Sequence, residues 1–316
     1  MKRFLAILLA SLMVVSFAAP IVIKSSDVHP HGYPTVEAVK MMGRIIEIMT
    51  NGKYKIEVYT SGQLGDEKET IEQTIMNAIQ MTRVSVAPLQ MFYDPIGVLT
   101  MPYLFRDEDH FWKVLEGPIG EELLKGVEKI GLVGLCYYDA GARSFYTRRP
   151  VQKPEDLKGM KIRVQMNEVM VALMQALGAT GVPMAFAEVY TALQTGVVDG
   201  AENNPPSYYT TRHFEVAPYY CLDAHTRIPE ILLISKAFWD KLTPEEKLIF
   251  KTAAIASAQY EKYLWKQMEL KALEEVQKGG AKIFQPDITA FQKAAQSVYD
   301  KFPQYKDLIK RIQEVK

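Results

Sequence analysis

The sequence predicts an α/β protein of two lobes, with mostly parallel sheets around a central cleft and a long helix toward the C-terminus that braces both lobes. Short apolar runs alternate with helical stretches along most of the chain, the pattern that builds parallel sheets. The alternation starts afresh near Arg143, and 316 residues with 48% hydrophobic content supply material for about two cores. After Thr243-Pro244-Glu245-Glu246 no breaker appears until Gly279-Gly280. That gives one helix of about 35 residues, roughly 50 Å at 1.5 Å per residue, which outreaches a single small lobe.

Ile21 to Ser25 reads as a strand, Thr35 to Thr50 as a helix ended by Asn51-Gly52, and Tyr54 to Tyr59 as a second strand. Gln63-Leu64-Gly65 turns the chain into a helix capped by Asp66, and Met81 to Val86 returns as a strand, completing a βαβαβ half. Asp107 opens a further helical region, and Leu132 to Tyr138 is a strand. The second unit has strands near Phe145, Ile162, Val182 and Val198, separated by helices over Asn167 to Leu177 and Ala187 to Gln194. Glu230 to Ser235 is another apolar strand. The long helix then starts with a Thr cap, Pro at its first position and Glu three residues after the cap. Its apolar positions keep no strict heptad, which favours a brace over a coiled-coil arm. The lobes are expected at 19–140 with 229–268 and at 141–228 with 269–316, after a signal segment at 1–18.

Lys2 and Arg3 precede an apolar run from Phe4 to Phe17, too short for a comfortable membrane span and ending in small residues. This predicts a cleaved secretory signal, cut between Ala18 and Ala19, and a periplasmic location; with no cysteine nearby, lipid anchoring is excluded. The chain has 37 basic and 37 acidic residues. Losing Lys2 and Arg3 leaves 35 minus 37, or −2, a balance that marks neither a nucleic-acid nor an anionic-membrane partner. Cys136 and Cys221 are expected to be buried thiols. Cys221 and His225, four apart, could share a helical face, but such local spacing is too weak a signal to make them a nucleophile and base.

Function concentrates between Gly141 and Pro205. This stretch holds Arg143 in GARSF, Arg163 in KIRV, Phe186 in PMAFAEVYTALQTG and Asn203 in DGAENNP. Two arginines and an amide at the ends of short strands lie where open α/β sheets place ligand contacts. A guanidinium matches a carboxylate with two parallel donors, and the pair is strong where water is excluded. The site is therefore expected to bind a carboxylate. An Asn amide both donates and accepts, whereas Glu202 would repel an acid and suits a supporting place; Arg143 can serve the ligand or hold Asp139 or Glu202. Asn204 is expected to point to the opposite face of its strand.

The order, spacing and flanks of these blocks, with GQLGDE, MPYLF and VYTALQTGVVDGAENNP, resemble the solute-binding proteins of TRAP (tripartite ATP-independent periplasmic) transporters across the mature chain. The resemblance implies a periplasmic binding protein-like fold and capture of a small organic acid such as a dicarboxylate, by Arg163 and Asn203 on one carboxylate. In it, Arg143 supplements the clamp and Phe186 walls the pocket. Ser85 falls where some relatives place a polar contact, although the sialic-acid binders carry a carboxylate there. Tyr33, His31 and Tyr138 are rim candidates from loops after the first and fourth strands. The resemblance also implies a partner of two integral membrane subunits driven by an ion gradient.

His29-Pro30-His31 raises a metal question, but structural zinc wants four ligands and only Asp27 is near in sequence, so no metal or other cofactor is assigned. No G-x-S-x-G elbow, H-E-x-x-H helix, P-loop or dinucleotide fingerprint is present, so no enzyme activity is expected. The alternatives are a binding protein for an ABC importer and a secreted ligand-sensing subunit. A monomer is favoured because the chain ends in only a short segment, Leu308 to Val315.

Overall fold

Among residues 19–316, the part of the chain described by this computed structural model, eleven strands form two sheets. The strands are β1 (Ile21–Ser26), β2 (Tyr54–Tyr59), β3 (Met81–Ser85), β4 (Leu132–Tyr138), β5 (Arg143–Thr147), β6 (Lys161–Val164), β7 (Thr180–Pro183), β8 (Gly200–Asn203), β9 (Tyr219–Thr226), β10 (Glu230–Ser235) and β11 (Lys282–Phe284). The expected signal at 1–18 lies outside the described residues. Strand order is β2-β1-β3-β10-β4 in the first sheet and β11-β9-β5-β8-β6-β7 in the second.

Each sheet contains one strand that runs against the rest. In the first it is β10, antiparallel to both β3 and β4; in the second it is β5, antiparallel to both β8 and β9. These are the two strands that follow a crossing between lobes, β4 to β5 and β9 to β10. A chain that has just crossed the cleft must run away from it, whereas β1, β3, β6 and β8 run toward it. The cleft is therefore lined by the C-terminal ends of parallel strands and the first residues of β5 and β10, Arg143 and Glu230.

Cys221 and His225 share no helical face: both lie on β9. Buried Asp223 and His225 break its apolar pattern and hide the strand signal, and Ala224, at φ 50°, kinks it. Cys136 and Cys221 are both free and buried, one in each lobe.

The long helix, Pro244–Lys278, starts at a capping box in which Thr243 accepts from the Glu246 N–H and Glu246 accepts from the Thr243 N–H. Ile249, Phe250, Ala253 and Ala254 pack into the first-lobe core with Met42, Tyr54 and Leu232, and Val276 packs into a second-lobe cluster with Tyr208 and Tyr220. Between these ends, Trp265 meets Tyr33 and Ala140 beside the first crossing. Gly141 has φ 56°, and a Cβ there would lie 2.8 Å from Glu269 Oε1 and 3.0 Å from Trp265 Nε1. Both the backbone angle and the space thus call for glycine where the chain passes the brace. The final helices touch both lobes: Tyr305 donates to Asp94 Oδ1 (2.8 Å), while Lys301 bonds Gln175 (3.0 Å).

Candidate carboxylate site

Arg163 reaches the cleft from the penultimate position of β6 and is 3% exposed. Its Nε and Nη2 both donate to one acceptor, the Met184 carbonyl, at 3.0 and 2.7 Å. Among the described residues Nη1 has no hydrogen-bond partner, and no carboxylate lies within ion-pair range. Burial pulls the Arg163 pKa below its ordinary value, with Glu202 acting against that pull. This is a buried cation held by a carbonyl alone.

Arg143 is committed elsewhere. Its Nε and Nη2 grip the Glu202 carboxylate, Nη2 also donates to the Glu202 carbonyl (2.8 Å), and Nη1 donates to Asn203 Oδ1 (3.0 Å). Of the options the sequence left open, the Glu202 pairing is the one formed. Burial works against the Glu202 charge, but Arg143 and His225 outweigh it and hold its carboxyl at about 2. Asn203 Oδ1 also accepts from the Asn204 N–H (2.9 Å), while among the described residues its Nδ2 has no hydrogen-bond partner. Asn204 caps the next helix, accepting from the Ser207 N–H at 2.8 Å, yet it lines the same cleft cavity as Asn203 and is not directed to the opposite face as expected.

His225 completes this layer, 3.0 Å from Asp223 Oδ2 and 3.6 Å from Glu202, the latter beyond hydrogen-bond length. Burial favours its neutral form, but Asp223 and Glu202 outweigh burial and raise its pKa to about 9. The unfolded chain releases this proton near pH 6.5. The stabilisation is therefore complete below pH 6.5 and lost as pH climbs to about 9, a span worth up to about 3 kcal/mol. Urea midpoints should fall across that window, and less steeply in His225→Asn; equal slopes would contradict a protonated His225.

The facing wall comes from the first lobe. Arg83 donates to Asp27 Oδ2 (2.9 Å), Glu67 Oε1 (3.2 Å) and Glu230 Oε2 (2.5 Å), one guanidinium among three carboxylates. Glu67 is set by the capping box of Asp66 and Glu69 at its helix start and by the Ser85 N–H, which donates to Glu67 Oε1 at 2.9 Å. Burial raises the carboxyl pKa values of Glu67 and Glu230; Arg83 opposes this, and the neighbouring acids add to it. Asp27 takes the Thr35 hydroxyl at 2.8 Å and the His29 N–H at 2.8 Å.

Arg143, Arg163, Phe186 and Asn203 line one cavity with Val28, His29, Glu67, Gln165, Asn204, Ser207 and Glu230. It measures about 20 Å³ and adjoins a second of about 20 Å³ that shares Glu67, Arg163, Gln165 and Phe186. Each has room for about one water, so a larger ligand requires the lobes to part. A groove of about 800 Å³ opens beside them through Lys68 and Met166, but it holds no arginine and includes Asp94 and Glu168. Chemistry for an anion lies in the small cavities.

Three expected contacts are corrected. Tyr138 is no rim group: its hydroxyl meets Ser257 Oγ of the long helix (2.8 Å), inside the first-lobe core. His31 is exposed beside Lys40 (3.1 Å), and the cleft histidine is His29, 5% exposed. The two imidazoles thus do not converge, and no group of three or more metal-capable side chains clusters among the described residues. Ser85 spends its hydroxyl accepting from the Ala87 N–H (3.4 Å), so that the polar face at this place is Glu67, which its backbone holds. Tyr33 backs the cavity, stacked on His29 at 3.7 Å, with its hydroxyl 2.9 Å from Ser207 of the other lobe. Half-buried Phe186 lies edge-on to His29 (5.2 Å) and 6.0 Å from the Arg163 guanidinium. Sequence reasoning missed His29, Glu67, Arg83, Gln165 and Glu230; for Glu67 the Asp66 cap was the available signal.

The profile of the family described as "Bacterial extracellular solute-binding protein, family 7" matches residues 25–305. The chain belongs to this family of TRAP solute-binding proteins. Solved structures of TRAP solute-binding proteins superpose closely. One from Xanthobacter autotrophicus Py2 with bound β-D-galacturonate is 45% identical, covers 93% of this chain and 100% of its own, and has a TM-score of 0.91. One from Pseudomonas putida F1 with bound D-glucuronate is 42% identical, covers 94% and 98%, and has a TM-score of 0.92. The C4-dicarboxylate-binding periplasmic protein DctP of Rhodobacter capsulatus is 35% identical over 290 residues, 90% of this chain and 86% of that protein. Members of the TRAP family are substrate-binding proteins that serve transport, and no helix among the described residues is long and apolar enough to cross a membrane.

Proposed function

We propose that this TRAP solute-binding protein captures a hexuronate, with Arg163 and the Asn203 amide on its carboxylate. The buried Arg163 guanidinium, which has no acid partner of its own, carries this reading: a ligand carboxylate supplies the missing charge in a site largely shielded from solvent. Opposite it, Glu67 presents oxygens suited to hydroxyl donors, and Phe186 offers an apolar face. That polarity fits one acid end and one polyol end better than it fits a dicarboxylate, whose second charge would face Glu67 and Glu230. Relatives at 42% and 45% identity hold glucuronate and galacturonate, which supports the same class.

The protein acts in the periplasm after loss of residues 1–18, binds in its open form, closes by hinge motion, and hands the acid to two integral membrane subunits. The lobes comprise 19–140 with 229–268 and 141–228 with 269–316. The protein works as a monomer, uses no cofactor and leaves its ligand chemically unchanged. Ligand at about 100 times its dissociation constant adds about 2.7 kcal/mol of stability. A thermal-shift panel of hexuronates, dicarboxylates and simple monocarboxylates should give its largest upward shift with a hexuronate, recovered intact after incubation. A larger shift with succinate would overturn the choice of class, and an altered acid would overturn the absence of catalysis.

A further inference from the structure

A buried polar atom with no partner is rare in native interiors, and each one calls for an explanation. Among the described residues, two such atoms belong to side chains lining the Arg163 cavity: Gln165 Oε1 and His29 Nδ1. Gln165 is 8% exposed and follows β6 two residues after Arg163, while His29 follows β1 in the other lobe. Each sits just past a strand that ends at the cleft. Neither atom has a hydrogen-bond partner, and both side chains line a space with room for about one water.

The chemistry of these atoms differs from that of Arg163. Burial, aided by the Arg83 and Arg143 charges, keeps the His29 imidazole neutral, so it offers one donor and one acceptor and no charge for a carboxylate. A Gln amide likewise offers uncharged donors and an acceptor. Uncharged paired donor–acceptor groups match hydroxyls, which also donate and accept. The stacked Tyr33 ring and the edge of Phe186 fix the His29 plane, so its free nitrogen is held in place.

We propose that Gln165 and His29 are the hydroxyl-reading residues of the cleft, each bonding a ring hydroxyl from its own lobe and so restricting the ligand to polyhydroxylated carboxylates. This rests on the hexuronate reading and adds to it the residues that enforce it. Because the two come from different lobes, a ligand with hydroxyls binds the closed form better than the open one, and closure is driven by the sugar as well as by its acid. An acid without hydroxyls leaves both atoms buried and unpaired, which penalises it in the closed form.

The test is calorimetric titration of the protein with D-galacturonate, D-glucuronate, their monodeoxy analogues and cyclohexanecarboxylate, with Gln165→Met and His29→Phe alongside. The unaltered protein should bind at least one monodeoxy analogue about tenfold or more weaker than its parent, and cyclohexanecarboxylate weaker still. Each variant should lose about tenfold or more on the parent uronate while its penalty on the matching monodeoxy analogue shrinks. Parent uronates bound well, with deoxy analogues and variants within threefold, would overturn the roles of Gln165 and His29 and leave the hexuronate reading standing. No binding of either uronate, with succinate bound, would instead overturn the hexuronate reading and this inference with it. The deoxy series on the unaltered protein decides the matter even where a variant fails to fold.

Discussion

Replacing Arg163 with alanine is expected to weaken acid binding by about 2 to 5 kcal/mol, the usual loss when one partner of a desolvated charge pair is deleted. At 1.4 kcal/mol per decade this is roughly 30-fold to several thousand-fold. The unliganded protein should not lose stability in parallel, because Arg163 bonds only the Met184 carbonyl and burial already pulls its pKa down. Arg163→Lys should recover only part of the affinity, since an ammonium cannot present the guanidinium's fork. Calorimetric titration beside urea denaturation separates the two quantities. Retained wild-type affinity in the alanine variant would remove Arg163 from the clamp.

Replacing Arg83 with methionine should act in the opposite way, on folding first. Asp27, Glu67 and Glu230 all depend on this one guanidinium, and its side chain is fully buried. Deleting one partner of a buried ion pair typically costs about 3 to 5 kcal/mol, because the charge left behind has no compensation. That is a large share of a total stability of about 5 to 15 kcal/mol. The carboxyls most readily neutralised are Glu67 and Glu230, whose pKa values are raised, so the loss should shrink as pH falls toward 5. Urea unfolding at pH 5 and pH 8 measures this; an equal loss at both would contradict the crowding of acids around Arg83.

Much of the fold was legible because its signals are local. Asp66 and Thr243 announce their helices through capping boxes, β4 and β10 are short, largely apolar runs, and β2 alternates apolar and charged residues. β9 was missed because Asp223 and His225 serve long-range pairings with Glu202 and Tyr103 that no local pattern records. The same division holds at the site. Arg163, Arg143, Phe186 and Asn203 fall within one dense block of sequence and line one cavity. The first-lobe wall is assembled from Asp27, Glu67, Arg83 and Glu230, far apart in the chain, and only the parallel registers of β1 and β3 with the reversed β10 bring them together. His31 was chosen over His29 because two residues of spacing say nothing about which ring a Pro-containing turn directs inward.

The reversed strand β10 also governs the order in which the molecule can be completed. It sits between β3 and β4, yet it is made only after the whole of β5 to β9 has been synthesised. Until residue 235 exists, the first sheet has a gap at its centre, with the facing edges of β3 and β4 unpaired and the acids that meet Arg83 incomplete. An N-terminal fragment therefore cannot reach the native first lobe, however long it waits, and the pairing that closes the sheet spans a large sequence separation, which slows folding. Such a chain stays pliable through most of its synthesis, the condition a polypeptide must meet to be threaded across a membrane before it folds.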